Sequence, residues 1–406
     1  MQYYRNYQLA NLYHVSKPTV AKWLDSARKG ALELQTTDVE GKSYISNTPK
    51  NHAVMRRLVA ERKKYRNSRS LKTVTPEDRL YTLYTPEQVA DIISSLERHR
   101  EIPRQYNYMD AGAADWDTYA TQLFYDEDTP NPIHETERLL QANQGYLDDL
   151  LSNYTQVNVV DIGPGNALPV KSLLSRLLTK GILGRYTAID ISPEMLEIAH
   201  GNIKEWFGDD VDFEGALRDI NYERFTDLLV RSSPDDGSIN LVLFFGGTLH
   251  NLRSPDEALR TIYNSMSPPD LLICPLKLDT PATRQNFHFV EAAGSQQLPP
   301  QYKFLVDLLG VEPSLYDVEM GFDERAKVRY LRIRLKVALA IRFQLEGMER
   351  PVSLNKGDTL LVWRYWHQSA LEIFSQFERN GFGVLQTSQT EDHDCMLAIC
   401  DISADW

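Results

Sequence analysis

Apolar residues change their spacing near residue 156, where short apolar runs begin to alternate with segments of helical period. The apolar runs cover residues 157–162, 185–189, 211–213 and 239–245, with a helical segment at 167–179. Strands that alternate with helices predict a mostly parallel sheet with helices on both faces. A helix at 371–377 and strand runs at 381–387 and 396–400 predict an antiparallel hairpin that closes this sheet.

The alternation is interrupted between residues 281 and 367, which predicts an inserted α+β domain. Residues 328–340 predict a strand whose alternation sends Leu331, Ile333 and Leu335 to one face and Arg332, Arg334 and Lys336 to the other. The basic face either binds an anionic substrate or is solvated and neutralised by nearby acids. We expect the insert to form a substrate lid together with residues 73–150.

Residues 7–30 have the pattern of two short helices joined by a turn near His14 and Val15. Ser16 is a typical N-cap for the second helix, in which Val20, Trp23 and Leu24 form an apolar stripe. This helix-turn-helix resembles the DNA-binding modules of excisionase-like and MerR-like proteins, and residues 41–45 fit the wing that often follows. In that interpretation, the residues that face nucleic acid are Lys17, Thr19, Lys22 and Asn51.

The net charge of −12 is unevenly distributed along the chain. Residues 1–72 carry 15 Lys and Arg against 5 Asp and Glu, and the rest of the chain carries 29 against 51. A basic segment on an acidic body favours two modules with different partners. If the basic module binds DNA, a basic helix at 55–66 would contact the phosphates. Alternatively, the segment packs on its own acidic body or serves dimerisation, and a homodimer is compatible with the sequence. Residues 67–76 are polar and aperiodic, which predicts a linker.

At 406 residues the chain exceeds one ordinary core. We expect a helix-turn-helix domain at 1–72, lid regions at 73–150 and 281–367, and a nucleotide-binding core at 151–280 that residues 368–406 complete. The cysteines, Cys274, Cys395 and Cys400, are odd in number and set in apolar contexts, which predicts buried free thiols. Neither a membrane-spanning run nor a secretory signal is present, so we expect a cytoplasmic protein without a membrane partner.

A glycine-rich turn joins the first core strand to its helix. Asp161 is the last but one residue of the run 157–162, Gly163 and Gly165 follow that run at once, and Asp190 comes directly after the run 185–189. Glycines allow both a tight turn and a close approach of backbone N–H groups to a ligand. An acid at the tip of the second strand is placed to accept hydrogen bonds from ribose hydroxyls. The pattern predicts a nucleotide site, for which an NAD-binding domain is the alternative.

The segments around Asp161 and Asp190 resemble the first two motifs of class I S-adenosylmethionine (SAM)-dependent methyltransferases. In that class the glycine turn faces the amino-acid half of SAM. The resemblance implies SAM as the cofactor, a Rossmann-like sheet, and Asp219 as the acid that holds the adenine amino group. The implied cofactor residues are Asp161, Gly163, Gly165, Asp190, Ile191, Asp219, Ile220, Phe245 and Gly246.

The loop at residues 244–252 resembles that of the histidine-specific Nα-methyltransferases of ergothioneine synthesis. The family's loop ends in an amine-contacting asparagine, and the matching position is Asn251. This weaker resemblance covers residues 77–402. It implies that Asn251 aligns an acceptor amine, with His250 and Tyr365 as further candidate catalytic residues. His250 is either a substrate contact or base, or a loop histidine that faces solvent.

Residues 362–368 depart from the pattern of that family. Where the family has a glutamate and a serine that reach the histidine ring, this chain has Trp363 and Tyr365. An imidazole would lose both partners, so we expect an acceptor other than histidine. An aromatic pocket of Trp363, Tyr365 and Trp366, with Arg364 nearby, would suit an aromatic, methylated cationic or carboxylate-bearing acceptor. The alternative is that these aromatic residues fill the core of the insert.

Two functions follow from these patterns. The first is an enzyme that N-methylates a small amine or amino-acid-like substrate. The second is a regulator in which a SAM- or metabolite-sensing methyltransferase fold controls DNA binding by residues 1–72. In a third alternative, the basic module delivers a peptide or RNA to the active site. The sequence contains no nucleophilic triad and no paired metal-ligand motif, so we expect no metal.

Overall fold

The computed structural model describes residues 3–13, 15–69, 71–126, 131–231, 237–285 and 297–402. His14, at the predicted first turn, and residues 286–296 of the predicted insert lie outside the described residues. The chain divides into two compact units. The first comprises Met1–Thr73, Val337–Ala340 and Ser353–Gly357, and the second comprises Val74–Lys336, Ile341–Val352 and Asp358–Trp406.

The strands are β1 (Tyr3–Tyr4), β2 (Thr36–Val39), β3 (Lys42–Ser46), β4 (Leu71–Val74), β5 (Gln156–Ile162), β6 (Leu183–Asp190), β7 (Asp212–Leu217), β8 (Ser238–Leu243), β9 (Leu271–Lys277), β10 (Tyr316–Asp323), β11 (Val328–Leu335), β12 (Ala338–Leu345), β13 (Met348–Leu354), β14 (Thr359–Trp366), β15 (Phe382–Gln389) and β16 (Cys395–Ile402). The α-helices are α1 (Asn6–Leu12), α2 (Lys17–Arg28), α3 (Pro49–Arg69), α4 (Leu80–Leu83), α5 (Pro86–Ser94), α6 (Ala111–Tyr125), α7 (Pro132–Ala142), α8 (Gln144–Leu151), α9 (Lys171–Thr179), α10 (Pro193–Phe207), α11 (Thr248–Asn251), α12 (Pro255–Tyr263), α13 (Pro281–Gln285), α14 (Phe304–Leu308) and α15 (Ala370–Arg379).

The first unit begins with the predicted pair of short helices, α1 and α2. A hairpin of β2 and β3 follows, and β1 adds a third strand beside β3. Val20, Trp23 and Leu24 of α2 share one buried core with Leu9 and Met55. The helices and hairpin occur where the sequence predicts them, whereas their use in DNA binding stays a prediction.

Two residues that we expected to face nucleic acid are buried in the first unit. Thr19 is 7% exposed, and its hydroxyl oxygen lies 2.9 Å from that of Ser16. Asn51 is fully buried: its Oδ1 accepts a hydrogen bond from the Gln35 amide, and its Nδ2 donates to the carbonyls of Gln35 and Ser46. The expectation was wrong for both, because side chains engaged inside a core cannot contact DNA. Lys17 and Lys22 are exposed, and their contact with DNA stays a prediction.

The predicted linker at residues 67–76 contains regular structure. Helix α3 extends to Arg69, and β4 follows almost at once. β4 lies beside β12 in a small sheet of order β13-β12-β4. Its partner strand is far away in the sequence, so no local pattern could mark residues 71–74 as a strand.

The second unit contains a seven-stranded sheet of order β15-β16-β9-β8-β5-β6-β7. The strands from β9 to β7 in this order are parallel, and β16 is antiparallel to both β9 and β15. Apolar cores lie on both faces, because β5 contributes Val157 and Val159 to one core and Val160 and Ile162 to the other. This confirms the predicted α/β class with a Rossmann-like sheet. The strand order reverses at β5, and open α/β sheets bind ligands at such a point.

The insert contains an antiparallel sheet of order β10-β11-β14. The apolar face of β11 is buried as predicted. Its basic face is neutralised, because Arg332 and Arg334 both donate to Glu319, and the ammonium of Lys336 lies 2.9 Å from the Asp317 carboxylate. The single strand expected over residues 328–340 is instead two strands, since the chain leaves β11 after Leu335 and enters another sheet as β12.

Cys274, Cys395 and Cys400 are free and buried, as predicted. Within the described ranges, we find no helix whose length and apolar character would let it cross a membrane.

Replacing Asn51 with alanine removes three hydrogen bonds, so the Gln35 amide and the carbonyls of Gln35 and Ser46 each lose the partner that Asn51 provides. We expect the free energy of unfolding of the first unit to fall by about 2–4 kcal/mol. Hydrogen exchange of the full chain, read by mass spectrometry over residues 35–51, measures this loss. Asn11→Ala, at an exposed asparagine of α1, is the matched control. Equal protection in the two variants would contradict the structural role of Asn51.

Candidate functional site

The second unit contains a cavity of about 320 Å³ at the carboxyl ends of β5, β6 and β8. Its wall combines the loops after these strands with side chains from residues 101–139, the insert and β14. The nine residues expected to hold the cofactor all lie on this wall: Asp161, Gly163, Gly165, Asp190, Ile191, Asp219, Ile220, Phe245 and Gly246. The fold therefore brings them together, although they come from four separate loops.

The turn after β5 requires glycine for its backbone conformation. Gly163 and Gly165 have φ angles of +63° and +58°, in the left-handed region that L side chains rarely adopt. A Cβ at Gly165 would lie 3.6 Å from the indole nitrogen of Trp116, which is an ordinary contact. Conformation rather than space therefore selects glycine here, and the turn leaves its backbone open to a ligand.

Asp161 presents a carboxylate with one unused oxygen. Its Oδ2 accepts a hydrogen bond from the Tyr186 hydroxyl at 3.0 Å, whereas its Oδ1 is buried with no hydrogen-bond partner among the described residues. Burial raises the pKa of Asp161 to about 7. Such an oxygen favours a ligand that brings a cation or a donor, for example the ammonium of an amino acid.

Two further acids follow the next two strands. Asp190 Oδ1 accepts a hydrogen bond from the Ser192 amide at 3.0 Å, and burial raises the pKa of Asp190 to about 6. Asp219 Oδ1 accepts from the main-chain and side-chain amides of Asn221, at 3.0 and 2.8 Å, and burial raises its pKa as well. A carboxylate has about four acceptor positions, so both retain capacity for hydroxyl or amino donors of a nucleoside.

Asn251, at the end of α11, lies on the cavity wall and has a side-chain oxygen with unused hydrogen-bonding capacity among the described residues. Its Nδ2 donates to the Gly247 carbonyl at 3.0 Å, while its Oδ1 is buried and lacks a hydrogen-bond partner in the part of the chain that the structure describes. The internal bond fixes which end of the amide faces a ligand. Asn251 is therefore an acceptor held in a defined orientation on the cavity wall.

β14 contributes an aromatic part of the wall. Trp363 and Tyr365 line the cavity with their ring centres 6.2 Å apart, and the Tyr302 ring lies 6.4 Å from Trp363. The Tyr365 hydroxyl accepts a hydrogen bond from the main-chain amide of Lys277 at 3.2 Å. These two aromatic residues thus face the cavity, as the sequence suggested.

Arg364 and Trp366 do not line the cavity, contrary to our expectation. Arg364 donates to Glu101, which also accepts a hydrogen bond from Arg253 at 2.9 Å. The Trp366 indole nitrogen donates to the Leu252 carbonyl at 2.8 Å. Side chains alternate along a strand, so residues 364 and 366 share the face opposite to residues 363 and 365.

His250 is fully buried and lies behind the cavity wall rather than on it. Its ring packs edge-on against Tyr365, with ring centres 5.1 Å apart. Burial lowers the pKa of His250 to about 3, so the ring stays neutral near neutral pH. Our expectation of a base or substrate contact was wrong, and so was the alternative of a solvent-facing histidine.

The cavity also contains groups that no sequence motif marked. Arg104, Tyr108 and Trp116 come from the region around α6, and Glu135 comes from α7. Glu135 is 5% exposed, and its Oε2 has no hydrogen-bond partner within the described ranges. The density of Tyr, Trp and Arg in the predicted lid was the available signal, but helical periodicity does not tell which of them face a ligand.

The sheet and the site together define the class of protein. The strand order, with its antiparallel β16, is that of a class I SAM-dependent methyltransferase. So are the glycine turn after β5 and the acids at the carboxyl ends of β5 and β6 and after β7. The unused Asp161 oxygen fits the ammonium of SAM, and Asp190 and Asp219 suit its ribose and adenine. When bound, SAM supplies an electrophilic methyl group on a sulfonium.

The chain belongs to the histidine-specific, SAM-dependent methyltransferase family, whose model matches residues 88–401. Among solved structures, it is similar to a SAM-dependent methyltransferase from Clostridium acetobutylicum ATCC 824, at 10% identity over 78% of this chain and 99% of that chain, with a TM-score of 0.33. It is also similar to the CcbJ methyltransferase from Streptomyces caelestis, at 12% identity over 69% and 95% of the two chains, with a TM-score of 0.36. A search of curated proteins gave no match. These comparisons lend no support to a DNA-binding regulator.

The raised pKa of Asp161 makes SAM binding dependent on pH. A protonated Asp161 must lose its proton before it can pair with an ammonium, so binding weakens as pH falls through about 7. We expect the Kd for SAM to rise roughly five- to tenfold from pH 7.5 to 6.0. Calorimetry in buffers of different ionisation enthalpy measures both Kd and proton release. Asp161→Asn should bind more weakly with a flatter profile, and tighter wild-type binding at pH 6.0 would refute this account.

His250→Phe tests whether the buried imidazole takes part in proton transfer. Because His250 lies behind Tyr365 and is neutral, we expect the pH profile of kcat/KM to keep its shape, whereas the melting temperature shifts. Loss of a general base would instead cost about 100-fold or more and remove one limb of the profile. Methyl transfer measured from pH 5.5 to 9 separates these outcomes.

Proposed function

We propose that the protein transfers the methyl group of SAM to the nitrogen of a small amine or amino-acid-like acceptor other than histidine. The observation that carries this proposal is the Oδ1 of Asn251 on the cavity wall, which has no hydrogen-bond partner among the residues that the structure describes. An acceptor N–H that donates to this oxygen has its nitrogen held in place. Alignment of this kind supplies much of the rate of a displacement reaction.

The reaction needs little acid–base chemistry at the methyl group. The acceptor nitrogen forms a bond to the methyl carbon with its lone pair, while the carbon–sulfur bond breaks and its electrons remain on sulfur. The products are S-adenosylhomocysteine and a methylated ammonium, which can lose a proton. An amine that enters as its neutral form is ready for this attack, so a dedicated base is not required.

The aromatic wall supports an acceptor other than histidine. Trp363 and Tyr365 occupy the positions at which the histidine-specific methyltransferases have a glutamate and a serine. The Tyr365 hydroxyl already accepts the Lys277 amide, and Trp363 offers a ring face instead of a carboxylate. Ring faces favour an aromatic or methylated cationic group. The unpartnered Oε2 of Glu135 supports a cationic or hydrogen-bond-donating acceptor.

Three predictions from the sequence stay predictions. The first unit contacts DNA through Lys17 and Lys22, the protein forms a homodimer, and it is located in the cytoplasm.

Asn251→Ala tests the alignment of the acceptor. We expect kcat to fall by about 10- to 100-fold, because the variant loses the acceptor that positions the nitrogen, while the Kd for SAM stays within about twofold. Formation of S-adenosylhomocysteine on a panel of amino acids and amines, with histidine included, measures the first, and calorimetry measures the second. Asn264→Ala, at an exposed asparagine after α12, is the matched control.

The same panel tests the acceptor class. We expect turnover with an aromatic amino acid or amine to exceed that with histidine. Histidine as the best acceptor of wild-type protein, or full activity in Asn251→Ala, would contradict the proposed function.

A further inference from the structure

Arg104 lies inside the cavity among aromatic rings. Its guanidinium carbon is 5.6 Å from the ring centre of Tyr108, 5.3 Å from that of Trp116 and 5.8 Å from that of Tyr302. Aromatic faces attract a cation within about 6 Å, so the three rings hold the guanidinium in place. Among the described residues, no carboxylate forms a salt bridge with this guanidinium, so its position depends on packing against the rings.

Two nitrogens of this guanidinium are left without partners. Nε and Nη1 are buried, and neither has a hydrogen-bond partner among the residues that the structure describes. Glu101, an acid on the same wall, is engaged by Arg253 and Arg364 instead. Burying a charged group with unmade hydrogen bonds is costly, so this arrangement favours a ligand that brings the missing anion.

Arg104 lies between two parts of the cavity. One is formed by the loops after β5 and β6, where we expect the cofactor, and the other is the aromatic wall, where we expect the acceptor. On the cofactor side, Trp116 lies beside Gly165, and the Tyr108 carbonyl accepts the Ser192 hydroxyl. On the other side, Tyr302 packs against Trp363 of the aromatic wall. An anion bound at Arg104 thus lies within reach of both SAM and the acceptor.

We propose that Arg104 anchors a ligand carboxylate by charge-assisted hydrogen bonds from its free nitrogens. Two ligands have this chemistry: the amino-acid end of SAM and an amino-acid acceptor. Binding of an amino-acid acceptor at Arg104 rests on the proposed function, whereas binding of the SAM carboxylate does not. A guanidinium pairs with a carboxylate through parallel hydrogen bonds from neighbouring nitrogens, and Nε and Nη1 are such a pair.

The cofactor arm compares SAM with decarboxylated SAM, which lacks only the carboxylate. Calorimetry gives the Kd of each for wild-type protein and for Arg104→Met. If Arg104 binds the cofactor carboxylate, wild-type protein prefers SAM by about 10- to 100-fold, and the variant loses this preference.

The acceptor arm compares carboxylated and decarboxylated pairs, namely tryptophan with tryptamine and tyrosine with tyramine, on protein saturated with S-adenosylhomocysteine. If Arg104 binds the acceptor carboxylate, the wild-type protein prefers the amino acid and Arg104→Met does not, while SAM binding is unchanged. If the proposed function is wrong, the comparison of SAM with decarboxylated SAM still tests Arg104. Failure of the proposed function is therefore distinguishable from failure of the Arg104 proposal.

Arg98→Met, at an exposed arginine ahead of the cavity segment, is the matched control and should preserve both preferences. Arg104→Lys, which keeps the charge, should recover part of the lost preference. A purely structural role predicts a lower melting temperature of ligand-free Arg104→Met, whereas a ligand anchor predicts an equal or higher one. Equal discrimination by wild type and Arg104→Met in both arms, including no discrimination by either protein, overturns the proposal.

Discussion

Burial of carboxylates at the carboxyl ends of parallel strands is the constraint on which this active site depends. Asp161, Asp190 and Asp219 have raised pKa values because the fold withdraws them from water, and none of them forms a salt bridge with another described residue. The unused oxygen of Asp161 is the clearest sign of this deficit. We propose that bound SAM offsets the cost of burying these acids, because it has an ammonium, hydroxyls and an amino group that donate hydrogen bonds.

The acceptor side of the cavity also has buried polar groups whose hydrogen bonding is incomplete. Asn251 and Glu135 each leave an oxygen without a partner, and Arg104 leaves two nitrogens, among the described residues. Trp363, Tyr365 and Tyr302 line the same cavity, and an apolar wall of this kind strengthens each polar contact that a ligand makes. Recognition of the acceptor therefore depends on a few polar atoms set in an apolar wall, as is typical of small-molecule sites.

The sequence predicted the core of the site better than its lid. Apolar runs that end in Gly163 or Asp190 determine both a strand and the loop that leaves it, so local pattern and ligand contact coincide. Arg104 and Glu135 reach the cavity only through helix packing, which no local period reveals. Arg364 was misplaced because neighbours on a strand face opposite sides, and His250 because the predicted loop forms the short helix α11, in which its side chain is buried. The strand β4 was missed because its partner β12 is distant in the chain.

A crystal structure of the complex with S-adenosylhomocysteine tests the central claim most directly. We expect the amino group of the ligand's amino-acid end within hydrogen-bond distance of Asp161. We expect the ribose hydroxyls at Asp190 and the adenine amino group at Asp219. A ligand bound elsewhere, or bound in this cavity with its adenosine away from Asp190 and Asp219, would contradict it.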